Sequence, residues 1–126
     1  MNEFSVLFVD DEPLTRKITV RLLSRHYHVL QADGGVMALD MLRQKGTEIS
    51  VIITDMKMEG MSGMTLIEKI AQDYPEIPVI ASSGDLSNYE FEEMIVAGKL
   101  FATLEKPWDF GQALTLIGRA IKRENA

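Results

Sequence analysis

Six residues able to handle a hard cation or a phosphoryl group stand at the ends of short apolar stretches. Asp10 and Asp11 follow residues 4–9, Asp55 follows residues 50–54, Ser82 and Ser83 close the stretch that opens at Pro78, and Lys106 follows residues 100–105. Clustered carboxylates with little to neutralise them favour a hard divalent cation, and oxygen ligands suit Mg2+, which keeps several of its waters. A metal held in this way can bridge a carboxylate and an incoming phosphoryl oxygen, which makes Asp55 a usable nucleophile. The Lys106 ammonium offers compact charge to another phosphoryl oxygen, and a serine hydroxyl donates a hydrogen bond to a third.

Each of these features has an ordinary structural explanation when taken alone. An acidic pair before a helix serves as an N-cap and complements the helix dipole. Serine and glycine after a strand are turn residues, and a Lys-Pro pair is common. The functional reading rests on their conjunction, because four separate strand ends deliver complementary chemistry.

The elements that must position them alternate along the chain. Residues 4–9, 27–32, 50–54, 78–82 and 100–105 are short and apolar, as strands are. Residues 27–32 alternate, with Tyr27, Val29 and Gln31 on one side and His28, Leu30 and Ala32 on the other, which predicts an edge strand with one wetter face. Between them, Leu14, Ile18, Leu22 and Leu23 repeat at helical spacing after Pro13, a residue suited to the first helical position. Val36, Leu39 and Leu42 mark a second helix, with Gly46 as its expected cap. Met64, Ile67, Ile70 and Ala71 mark a third, Phe91, Met94 and Ile95 a fourth ended by Gly98, and Leu114, Ile117 and Ile121 the last. Strands each followed by a helix predict an α/β fold, a parallel sheet wound on both faces through right-handed crossovers. Such sheets carry their sites at the carboxyl ends of the strands, where the strand order reverses.

With these motifs in hand, the chain resembles the receiver domains of bacterial response regulators. The resemblance rests on Val9-Asp10-Asp11-Glu12-Pro13, Thr54-Asp55-Met56-Lys57-Met58, Gly60-Met61-Ser62-Gly63, Pro78-Val79-Ile80-Ala81-Ser82-Ser83-Gly84 and Lys106-Pro107, in order and at family spacing. It implies one receiver domain over residues 1–126, with a five-stranded parallel sheet in the flavodoxin-like order 2-1-3-4-5. It also implies that Asp55 accepts a phosphoryl group from a histidine kinase or phosphotransfer protein and so switches an output domain or effector. Asp11 would bind Mg2+ directly, Asp10 mainly through water, and the backbone carbonyl of Lys57 would complete the protein's contacts with the metal. Ser83 would be the switch hydroxyl and Lys106 the phosphate-binding lysine, with a cis peptide at Lys106-Pro107. On this reading the domain is a signalling switch and not an enzyme in its own right.

Two departures from the family pattern matter. Glu59 stands where many receivers have proline, and Thr103 stands where the family usually has an aromatic that swings inward. The segment ending Lys106-Pro107-Trp108-Asp109 is similar to a receiver subgroup joined to HD-type cyclic-dinucleotide phosphodiesterases or to histidine kinases, which suggests the kind of output partner.

Composition narrows the alternatives. The chain has 126 residues, 46% hydrophobic and 25% charged, with net charge −6. That balance makes it a poor partner for nucleic acid. No apolar run approaches the roughly 20 residues of a membrane span, and the absence of cysteine suits a reducing cytoplasm. His26 and His28, expected as strand neighbours on one face, lack a third ligand, and the methionines at 56, 58, 61 and 64 read as gap fillers. Gly34-Gly35 has no lysine at phosphate-loop spacing and reads as a turn.

Two rival functions use the same residues. A haloacid-dehalogenase-type phosphohydrolase would carry its nucleophile after the first strand and a further acidic pair after the lysine, where only Asp109 follows here. A pseudo-receiver would dock partners and never be phosphorylated.

Overall fold

The computed structural model describes residues 4–88 and 90–123. Five strands, β1 (Ser5–Val9), β2 (His28–Ala32), β3 (Val51–Asp55), β4 (Val79–Ser83) and β5 (Ala102–Glu105), alternate with α1 (Pro13–Leu23), α2 (Gly35–Lys45), α3 (Gly63–Asp73), α4 (Phe91–Val96) and α5 (Phe110–Lys122). All neighbours are parallel and the order is β2-β1-β3-β4-β5, the order expected. The alternating segment is indeed an edge strand, β2. Two strands end one residue later than the apolar runs suggest, so that Asp55 and Ser83 close β3 and β4 instead of following them.

The unbroken apolar strands follow from a core on each face of the sheet. Val6, Phe8, Val51, Ile53, Ile80 and Leu104 pack with Leu23 of α1 and Ile117 of α5. Leu7, Val9, Ile52, Val79 and Ala81 turn the other way, toward Leu42 of α2, Leu66, Ile67 and Ile70 of α3 and Phe91 and Met94 of α4. Each fully buried aliphatic side chain stabilises the fold by about 1.5–3 kcal/mol before entropy is counted.

Helix starts obey capping chemistry. Glu12, not either aspartate before it, caps α1 by accepting the Thr15 N–H at 2.6 Å, with Pro13 next. Ser62 accepts from Thr65 N at the start of α3, and Asp109 from Gln112 N at the start of α5. The last helix therefore starts at Phe110, a turn earlier than its first apolar marker, Leu114.

Not every helical apolar residue reaches a core. Leu14 and Ile18 of α1 and Val36 of α2 are exposed, at 63%, 52% and 68%. Gly46 caps the C-terminus of α2, as expected, but in right-handed backbone, and leads straight into a 3-10 turn, Gly46–Glu48. Gly98 does take positive φ, 79°, after α4. Among the described residues no helix is long and apolar enough to cross a membrane.

Candidate functional site

The strand order reverses between β2 and β3 on either side of β1, which puts the C-terminal ends of β1 and β3 at the crevice. Asp10, Asp11 and Asp55 meet there, each offering a ligand atom, all within 4.8 Å of one another. Asp10 is 1% exposed; its Oδ1 accepts the Glu12 N–H at 2.9 Å, while its buried Oδ2 has no protein partner. Burial raises the Asp10 pKa, and the charges of Asp55 and Asp11 add to the effect. A buried carboxylate with an unpaired oxygen among like charges is the environment a cation relieves, so the donor set fits a hard divalent ion.

Backbone donors hold the other acids. Asp11 Oδ2 accepts from Glu59 N at 2.9 Å, which ties the loop after β3, including exposed Lys57, to the cluster. Asp55 Oδ1 accepts from Met56 N at 2.8 Å, and Asp55 Oδ2 lies 2.9 Å from Lys106 Nζ. The Lys106-Pro107 peptide is cis, as expected.

Close packing brings this loop in. A Cβ on Gly63 would lie 2.5 Å from the Asp55 carbonyl oxygen and 2.6 Å from Met56 Cα, so only glycine lets the start of α3 press against the end of β3. Gly63 N also donates to Met56 O at 3.0 Å. Met61 fills the space left by Gly35 at the start of α2, and buried Met56 with half-buried Met58, Met61 and Met64 packs into the core, in keeping with gap filling.

Ser83 is buried at the end of β4, and the Lys106 N–H donates to its carbonyl at 2.9 Å. Its hydroxyl is engaged locally, donating to Asp85 O at 3.1 Å and accepting from Asp85 N at 3.2 Å. Asp85 in turn accepts from the backbone and hydroxyl of Ser87, which lowers its pKa, with a smaller contribution from Lys57. The structure thus brings together Asp10, Asp11, Asp55 and Lys106 and sets Ser83 beside them.

His26 does not join His28 on a strand. It lies in the turn before β2, its ring 6.2 Å from that of Phe110, because β2 begins only at His28.

Two contacts beside the site escaped the sequence reading. Arg16 donates from Nη1 to the Asp10 carbonyl at 2.7 Å and from Nε to Gln31. The available signal was a cation near the start of a helix, where the dipole favours acids. Trp108 donates from Nε1 to Ser82 Oγ at 2.9 Å, and nothing in residue spacing announces that bond.

The sequence matches the response regulator receiver domain family over residues 6–117. It is 32% identical over 122 residues to Sensor kinase CckA of Brucella abortus (strain 2308), covering 96% of this chain and 13% of the kinase. The signal receiver domain of an HD domain-containing protein from Pseudomonas fluorescens Pf-5 superposes with TM-score 0.87 at 27% identity, covering 97% of each chain. A response regulator receiver domain protein from Clostridium thermocellum does so with TM-score 0.84 at 30% identity, covering 95% of each. The chain spans from 13% to 24% of the length of the curated relatives it matches. With its sheet order, its strand-end acids and its match to the family agreeing, the chain belongs to the response regulator receiver domains of two-component signalling.

Proposed function

We propose that Asp55 accepts a phosphoryl group from the phosphohistidine of a histidine kinase or phosphotransfer protein. A carboxylate oxygen of Asp55 attacks phosphorus, the P–N bond breaks, and the imidazole leaves with the bonding pair and takes up a proton. The observation that carries this is the setting of Asp55, within 4.8 Å of two further acids and 2.9 Å from Lys106 Nζ. Asp11, Asp55 and the Lys57 carbonyl would hold Mg2+, with Asp10 acting mainly through water; the ion supplies positive charge to phosphoryl oxygens and relieves the cluster's repulsion. Lys106 neutralises a second phosphoryl oxygen, and Ser83 exchanges its turn with Asp85 for a hydrogen bond to a third.

The described chain serves as one receiver unit in the cytoplasm, acting as a switch and turning over only its own phosphoryl group. Exposed Leu14 and Ile18 on α1, beside Lys17 and Arg21, give the phosphate donor an apolar and cationic surface next to the site. Likeness to the receiver of an HD domain-containing protein supports an HD-type phosphodiesterase as output. The balance of net charge, −6, speaks against nucleic acid as a direct partner.

Acetyl phosphate with Mg2+ tests the reading. The wild type gains one phosphoryl mass as acetate leaves, and Asp55→Asn gains none. Equal labelling of that variant overturns the assignment. A wild type that never labels points to a docking module, and sustained turnover of para-nitrophenyl phosphate points to a phosphohydrolase.

A further inference from the structure

Consecutive residues of a strand face opposite sides of the sheet, and β4 ends in two serines. Ser83 follows Val79 and Ala81 toward the α2, α3 and α4 side, whereas Ser82 follows Ile80 toward the α1 and α5 side. Ser82 is 1% exposed, and its hydroxyl accepts the Trp108 indole N–H at 2.9 Å. A buried hydroxyl and an indole N–H both need partners, so this bond fixes the ring.

Both ends of the bond are anchored at the acidic site. Ser82 is the register partner of Asp55 in the β3–β4 ladder. Trp108 follows two residues after Lys106, which pairs with Asp55. The indole also meets Phe8 of β1 edge-on, at 5.7 Å and 85°, two residues before Asp10. Beside it a cavity of about 470 Å³ runs from Asp10, Ser82 and Lys106 at the site to Thr15, Thr19 and Leu22 of α1, with Trp108 in its wall. On the opposite side of the sheet, Thr103 has no ring with which to move.

We propose that Trp108, held through its Nε1–H to Ser82, passes the state of Asp55 to the α1–α5 face, and that the cavity beside it changes shape on phosphorylation. This rests on the reading of Asp55 as phosphoryl acceptor. A tetrahedral group on Asp55 changes the reach required of Lys106 and draws the Ser83 hydroxyl from its turn. Those shifts act one or two residues from each end of the Trp108–Ser82 bond. Hydrogen bonds weaken steeply with angle, and the indole is rigid, so a displacement at either end is carried to Phe8 and to the wall of the cavity.

Nitrogen-15 NMR tests this directly, because the single tryptophan yields one indole cross-peak. With acetyl phosphate and Mg2+, and phosphoryl mass measured on the same sample, the wild-type peak shifts, as do the amides of Thr15, Thr19 and Leu22; in Asp55→Asn none of these shifts appears. Ser82→Ala still labels, but its indole peak is already displaced and the phosphorylation-dependent shifts are lost. Trp108→Phe, which keeps an aromatic ring for Phe8 and has no N–H, labels equally and loses the α1 amide shifts. A labelled wild type with an unmoved indole overturns the inference, and so does Ser82→Ala with amide shifts as large as those of wild type. A wild type that takes no phosphoryl mass overturns the reading of Asp55 and this inference with it.

Discussion

Asp10 and Asp11 line a wall of the site on which backbone donors already hold the carboxylates, through Glu12 N and Glu59 N, and one buried oxygen stays open. Ser83 and Lys106 line the facing wall, and there the functional atoms are engaged: Ser83 Oγ with Asp85, and Lys106 Nζ with Asp55. The acidic wall is assembled in advance at an electrostatic cost. On the proposed function, the other exchanges partners before it holds a phosphoryl group. Charge repulsion is therefore concentrated on one side and conformational change on the other.

If that division holds, replacing the central cation has the largest effect. Lys106→Met removes the ammonium paired with Asp55 and is expected to slow labelling by acetyl phosphate about 10²-fold, as losing a preorganised charge does elsewhere. A loss of only severalfold would mean the second wall contributes little.

The acidic wall is next. Calorimetric titration with Mg2+ should give about a tenfold loss of affinity for Asp10→Asn, typical of a group acting through water, and a larger loss for Asp11→Ala. Equal losses would erase the distinction between the two acids. Without metal, Asp10→Asn should raise the melting temperature at neutral pH, because it removes a buried charge. The sign with pH follows from the raised pKa of Asp10. The folded state keeps its proton to higher pH than the unfolded state, so the group's contribution to stability is full below 3.8 and is lost as pH rises through the folded value. The advantage of Asp10→Asn over wild type should therefore shrink as pH falls toward 3.8.

Packing at the junction of the walls comes third. Gly63→Ala forces a Cβ into the backbone of Asp55 and Met56 and should destabilise the protein by about 1–3 kcal/mol in urea unfolding, with slower labelling. An unchanged transition would show that the start of α3 can yield. The smallest effect is expected at the rim. Lys57 and Asp85 are exposed opposite charges near enough that Lys57 helps lower the Asp85 pKa, and such solvent-screened pairs contribute little to stability. If Asp55 is phosphorylated as proposed, their bulk at the rim restricts how water lines up with phosphorus, so Lys57→Asn should shorten the lifetime of the phosphoprotein severalfold after the donor is removed. Identical decay in the two proteins would remove any role for the rim.

Much of this was legible from residues because strand ends are local features. Asp10, Asp11, Asp55, Ser83 and Lys106 each follow or close an apolar run, and a parallel sheet carries such positions to one edge. Helix burial was less legible: Leu14 and Ile18 keep helical spacing yet lie exposed, since periodicity defines a stripe without saying how far around the helix the core extends. Trp108 on Ser82 is a long-range pairing made by tertiary packing, and spacing along the chain carries no record of it, whereas Arg16 on the nearby Asp10 carbonyl left only the signal of a cation near the start of a helix. The local turn that occupies Ser83 was likewise hidden, because Ser-Gly-Asp permits that turn without requiring it.

The paired serines at the end of β4 have a consequence for anyone building chimeras from this domain. Because side chains alternate, what must survive a graft is the parity of the strand, more than the identity of its residues. One residue inserted before Ser82 would send its hydroxyl to the Ser83 side and the Ser83 hydroxyl away from the site, leaving composition almost untouched. The same insertion after Asp85 would lie outside the strand and leave the facing of both serines unchanged.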